Sequence, residues 1–207
     1  MKRHRFGSHT PEEMRRGSNL GHRLEGLLLT AVGVIALLGN LGLAAWASTA
    51  WPILILIAGL LLLVLLYPTH PLTDWPAIWR DPQQRQHTIM AAAIALAGAS
   101  ESVRGSNPAL AYVWPAALLM IGVLFLTHPQ HGTGEAVVRA VRQHRVLGTT
   151  AIIAGLLRAA EFGTGTTLFA VLWPLALLGA AAQLLLYREP EGAFEAGGGH
   201  GRPGRPG

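Results

Sequence analysis

The chain has 207 residues, 51% of them apolar and only 13% charged, with nine histidines and a formal net charge of +5. Soluble domains carry about a quarter charged residues, so an ordinary water-soluble globule is a poor fit, and the lack of cysteine excludes disulfides, thiolate metal sites and a cysteine nucleophile. The pI near 10.7 does not argue for nucleic acid, because Arg and Lys gather in tails and loops beside apolar runs, as in oriented membrane proteins.

Residues 1–21 are basic and polar, with Gly, Ser, Pro and mixed charges, and read as a disordered cytoplasmic tail. They lack the apolar core and small-residue cleavage site of a signal peptide, so the first span is expected to be retained. Crossing roughly 30 Å of hydrocarbon takes about 20 apolar helical residues. Span 1 is predicted from about Leu24 to Leu43, followed by a turn at Ala47-Ser48-Thr49. Span 2 runs from Trp51-Pro52 to Tyr67-Pro68, with Pro52 placed in the first helical turn, where a missing N–H has no partner to lose. These two form a hairpin over 22–71. The loop 72–86 carries Trp75 and Trp79, whose spacing suits a membrane interface.

Span 3, about Thr88 to Val103, and span 4, about Ala109 to Thr127, form a second hairpin over 87–129. The loop 130–143 follows, with a surface helix expected from Gly134 to Gln143. Span 5, about Val146 to Phe162, and span 6, about Leu168 to Tyr187, form a third hairpin over 144–190. The Gly/Pro-rich end, 191–207, is expected to be disordered. The expected fold is therefore all-α: a polytopic membrane protein of six transmembrane helices arranged as three helical hairpins.

The hairpins read as repeats. A histidine opens each odd span with glycine eleven residues on: His22 and Gly33, His87 and Gly98, His144 and Gly155. Trp-Pro opens each even span, at 51, 114 and 173, and Thr-His-Pro closes the first two, at 69 and 127. Markers that recur in one order signal internal duplication. Each hairpin returns to its starting side, so the units should be related by an axis along the membrane normal. With both termini cytoplasmic, the tails and long loops hold fourteen of sixteen Arg/Lys residues, which satisfies the positive-inside rule. That places the chain in a bacterial inner membrane, with the lipid bilayer as its partner and other membrane proteins or a second copy as further candidates.

Residues 26–66 resemble the LiaI/LiaF-like transmembrane repeat of bacterial envelope proteins. The matching features are the small-residue-rich first helix, Leu-Leu-Gly-Asn-Leu-Gly at 37–42, Trp-Pro, and Ile-x-x-Gly-Leu-Leu-Leu-Leu. The two later hairpins keep Trp-Pro and lose the Asn-Leu-Gly turn. The resemblance implies a hairpin module of the kind implicated in sensing or restraining envelope-stress signalling.

Two constellations could carry chemistry. Glu101 and Arg104 lie three apart on span 3, and Arg158 and Glu161 three apart on span 5. Counted from His87 and His144, Glu101 and Arg158 share one depth, and Arg104 and Glu161 another. At 1.5 Å per residue these depths are roughly 21 and 26 Å from the cytoplasmic end. Two crossed ion pairs are predicted if the spans pack together, because buried intramembrane charges pair and face the interior. One reading is an ion path or substrate site; the plainer one is an electrostatic clamp that sets helix register.

The second constellation is histidine. His22, His70, His87, His128, His131 and His144 fall near the cytoplasmic interface. A transition-metal site, zinc or copper, would use His128, His131 and His144 with His87; the plainer reading is helix-end histidines facing lipid phosphate or water. No Gly-rich phosphate loop, Ser/His/Asp set or zinc-protease pattern occurs. The sequence thus points to a non-enzymatic envelope-associated scaffold or sensor module. The alternatives are a histidine-dependent metal-binding or transport protein and a small transporter using the Glu/Arg layer.

Overall fold

The structure, a computed structural model, describes residues 10–66, 75–128 and 134–191. His70, His131, and the stretches 1–9 and 192–207 lie outside the described residues. The described chain is all-helical: α1 (Pro11–Asn40), α2 (Ala47–Leu66), α3 (Trp75–Arg80), α4 (Pro82–Ser102), α5 (Val113–Leu126), α6 (Gly134–Thr164) and α7 (Thr167–Leu186), with two short 3-10 turns between α4 and α5. Five of these, α1, α2, α5 with its preceding turn, α6 and α7, are long and apolar enough to cross a bilayer. That is the build of a multi-pass membrane protein. α4, which carries predicted span 3, is not among the five.

Two helices are longer than expected. The tail predicted to be disordered over 1–21 is helical from Pro11 onward. Thr10 and Glu13 form a reciprocal capping box, with the Thr10 hydroxyl accepting from the Glu13 N–H and the Glu13 carboxylate accepting from the Thr10 N–H. Pro11 occupies the first helical position, where it costs nothing. Likewise the surface helix expected over 134–143 is the first third of α6, continuous with the apolar run that follows.

The long helices form a closed ring in the order α1, α2, α4, α5, α6, α7 and back to α1. The seams α2–α4, α5–α6 and α7–α1 are closer than the alternating seams α1–α2, α4–α5 and α6–α7. Glycine makes the close seams possible, since helices in lipid gain little from hydrophobic drive and associate by intimate packing. A methyl added at Gly33 would stand 3.2 Å from the Pro174 carbonyl oxygen, at Gly98 2.9 Å from that of Pro52, and at Gly155 3.0 Å from that of Pro115. Gly98 is the tightest, because the same methyl would also collide with the Leu56 backbone N–H. Gly98→Ala is therefore expected to force α2 and α4 apart, a loss of about 1–3 kcal/mol. A fall in the thermal midpoint of the detergent-purified protein reads it; Gly105→Ala, where an added methyl meets nothing within 4 Å, is the control.

The prolines sit deeper than the sequence suggests. Pro52 and Pro174 lie inside α2 and α7, not at their first positions. A proline within a helix leaves the carbonyl four residues back without its N–H. For Pro174 that carbonyl is Ala170, and the Asn40 side-chain amide donates to it at 2.6 Å from the end of α1. The asparagine of the Asn-Leu-Gly turn thus repairs a break in another helix. Asn40→Leu is expected to cost about 1–3 kcal/mol through the stranded carbonyl, whereas Asn40→Gln, which keeps the donor, should recover part of that. Equal midpoints for the leucine variant and wild type would show the bond to be idle.

Candidate functional site

Two polar layers lie inside the ring. The first is built around Arg158, which is 2% exposed although it lies on a membrane helix. Its guanidinium donates to Glu101 Oε1 on α4 at 3.1 Å and to Glu161 Oε2 on its own helix at 2.5 Å. Arg104 reaches the other Glu101 oxygen at 3.4 Å. Among the described residues no ion pair joins Arg104 to Glu161, so the second crossed pair does not form. α4 ends at Ser102 and Arg104 opens a 3-10 turn, and its guanidinium turns back to Glu101 three residues earlier instead of crossing to Glu161. The four charges make a chain, Arg104–Glu101–Arg158–Glu161, with net charge zero.

Aromatic rings complete this layer. The Arg158 guanidinium lies 4.3 Å from the Phe162 ring centre, 4.8 Å from Trp173 and 5.4 Å from Trp51. Such contacts strengthen when desolvated. The Trp51 and Trp173 rings are 5.3 Å apart, and Trp114 is buried in the same cluster. The sequence reading used these tryptophans only as markers. The i, i+4 spacing of Arg158 and Phe162 was the available signal that the arginine would find an aromatic face on its own helix.

The second layer gathers histidines from four parts of the chain. His87 and His128 stand edge-on with ring centres 4.7 Å apart, His128 and His144 stack at 5.0 Å, and His144 and His22 meet edge-on at 6.2 Å. On α1, α4 and α6 the histidine Nδ1–H donates to the carbonyl four residues back: His22 to Ser18, His87 to Gln83, His144 to Ala140. That bond selects the tautomer whose Nε2 carries the lone pair. His128 Nδ1 bonds the Gln86 side chain at 2.7 Å. So His87, His128 and His144 come together as predicted, His22 joins them, and His131 falls outside the described residues. Among those residues no three His, Cys, Asp or Glu side chains stand where one metal ion could be held.

Sequence reasoning passed over Glu25. It lies one turn beyond His22 on the face of α1 that also carries Leu29, Val32 and Ala36, which pack into the interior. The histidine-to-interior spacing was the signal.

The layer is closed by the segment after α7. Tyr187 stacks on His22 with ring centres 3.9 Å apart. Its hydroxyl donates to Glu189 Oε2, which also accepts from Ser18, while the Glu189 N–H donates to Asn19. Burial, and then the Glu189 carboxylate, push the Tyr187 phenol up, so it stays a neutral donor. This clasp ties the end of α7 to the start of α1. The geometry defines an all-helical multi-pass membrane protein with two interior polar layers. No protein-family model, curated protein or solved structure matches the chain.

Proposed function

We propose that the chain is a non-enzymatic module of a bacterial inner membrane, an envelope-associated scaffold or sensor. On this reading α1, α2, α4, α5, α6 and α7 are six spans in three repeated hairpins, with both termini cytoplasmic. α4 serves as the sixth span because protein, not lipid, receives its charge: Glu101 is met by Arg158. Three sets of positions support the repeat. Gly33, Gly98 and Gly155 each face the carbonyl of a Trp-Pro proline. Val32, Ala97 and Ala154 are buried at one depth, and Ala36, Glu101 and Arg158 at the next.

The observation that carries this reading is the separation of the two polar layers. Between them the interior is filled by Val32, Ile55, Ala97, Leu118, Ala154 and Leu177, all buried. The charges of the first layer neutralise one another. A dry plug and a neutral clamp hold helices; they do not pass ions. In liposomes, proton and potassium flux should match protein-free vesicles, and Glu101→Gln should change nothing. Flux that depends on Glu101 would replace this reading with the transporter. A sensor role further requires that deleting the protein shift an envelope-stress reporter and that the wild-type chain restore it.

A histidine-dependent metal site is the second reading, favoured by the convergence of His22, His87, His128 and His144. Neutral imidazoles are ligands for zinc and copper; among the described residues no three are placed to hold one ion, so this reading requires the rings to re-orient on metal binding. Metal analysis of the purified protein decides it: stoichiometric metal, lost in His87→Ala with His144→Ala, supports the site, and metal-free protein after loading removes it.

A further inference from the structure

We infer that the crevice between α1, α6 and α7, at the end of the bundle carrying the histidines, binds an anionic phospholipid. The crevice holds about 270 Å³ and is half open to the outside. Its lining joins polar Arg142, His22 and Tyr187 to apolar Val146, Leu147 and Leu184. The apolar lip faces outward, since Val146 is 50% and Leu186 79% exposed. On a membrane helix such exposure meets acyl chains.

Charge selects the headgroup. Arg142 is exposed at the rim, and among the described residues no carboxylate pairs with it. Glu189, two residues beyond the lining residue Tyr187, is held by the Ser18 and Tyr187 hydroxyls. Arg188, next in the chain to the lining residue Tyr187, is also exposed. A guanidinium beside an apolar slot at the level where a transmembrane helix ends matches a phosphate headgroup with its chains running down the helix. The volume suits a headgroup and the first part of a chain, and the rest would lie along the exposed faces of α6 and α7.

The test uses the full chain purified in neutral detergent. Binding is followed by native mass spectrometry and by the thermal midpoint, with phosphatidylglycerol, phosphatidylcholine or inorganic phosphate added. Phosphatidylglycerol should bind about fivefold tighter than phosphatidylcholine, the worth of one arginine near an anionic headgroup. Arg142→Ala should remove that preference, while Arg145→Ala, on the same helix but outside the crevice, should keep it. Val146→Trp, which puts a large ring into the apolar lining, should weaken both lipids. Equal loss in the two arginine variants would assign the effect to diffuse surface charge and overturn the site. No preference between the lipids would overturn it as well. Stabilisation by inorganic phosphate equal to that by phosphatidylglycerol would show a free-anion site instead of a lipid one.

Discussion

Arg158→Leu is expected to destabilise the protein by about 3–5 kcal/mol, the usual cost of removing one partner from a buried ion pair. The change strands two carboxylates. The Glu101 side chain is fully buried and would keep only the looser contact to Arg104 at 3.4 Å, and Glu161 would lose its bond at 2.5 Å. Arg158→Lys should not rescue it. An ammonium lacks the planar fork that serves two carboxylates while lying against three rings. Removing Arg158 together with both its carboxylate partners should be far milder, because apolar groups of similar volume often replace buried ion pairs at little cost. Ala36, at the matching depth of α1, already shows an apolar residue in that layer. The triple change Arg158→Leu, Glu101→Leu, Glu161→Gln is therefore expected to recover most of the loss in thermal midpoint. A single leucine variant as stable as wild type would end the clamp interpretation.

The second large effect is at Trp173, which is 0% exposed. Trp173→Ala should cost about 3–5 kcal/mol, through the cavity left by a large ring in a close-packed interior. Part of that loss is the contact with the Arg158 guanidinium, and Trp173→Phe should restore part of it. Trp75, 49% exposed on the short helix α3, is the comparison: Trp75→Ala should move stability by less than about 0.5 kcal/mol. The measurement is the same midpoint in one detergent. Similar effects at the two tryptophans would mean that burial at the Trp-Pro position is not what stabilises the ring of helices.

Much of the helical layout was legible in the residues. Long uncharged runs mark where helices lie, whereas Trp-Pro, read as a helix opening, falls inside α2 and α7. The start of α1 was missed: residues 1–21 read as disordered for their mixed charge, although Thr10-Pro11-Glu12-Glu13 is a complete capping signal. The partnership of Asn40 with Ala170 was not legible. It joins residues 130 apart, and it exists only because Pro174 breaks α7 at the height where α1 ends. Arg104 shows the same limit on a smaller scale. Its i, i+3 spacing from Glu101 was readable, and the structure pairs it with that carboxylate and not with Glu161.

The histidine layer divides in the same way. That His87, His128 and His144 could fall at one level followed from spacing, but His144 lies well inside α6 and not at its end, because that helix begins at Gly134. That His22 joins them, with Tyr187 stacked against it, depended on α7 closing the ring against α1.

By itself the sequence determined the helical class and the apolar runs long enough to span a bilayer, because the period of a helix and the polarity of a run are properties of short stretches of chain. The tertiary structure alone decided which of four charges meet, which histidines converge and where a crevice opens. Those depend on how separate helices rotate and slide against one another, by distances of one side chain, and no local pattern of residues encodes that.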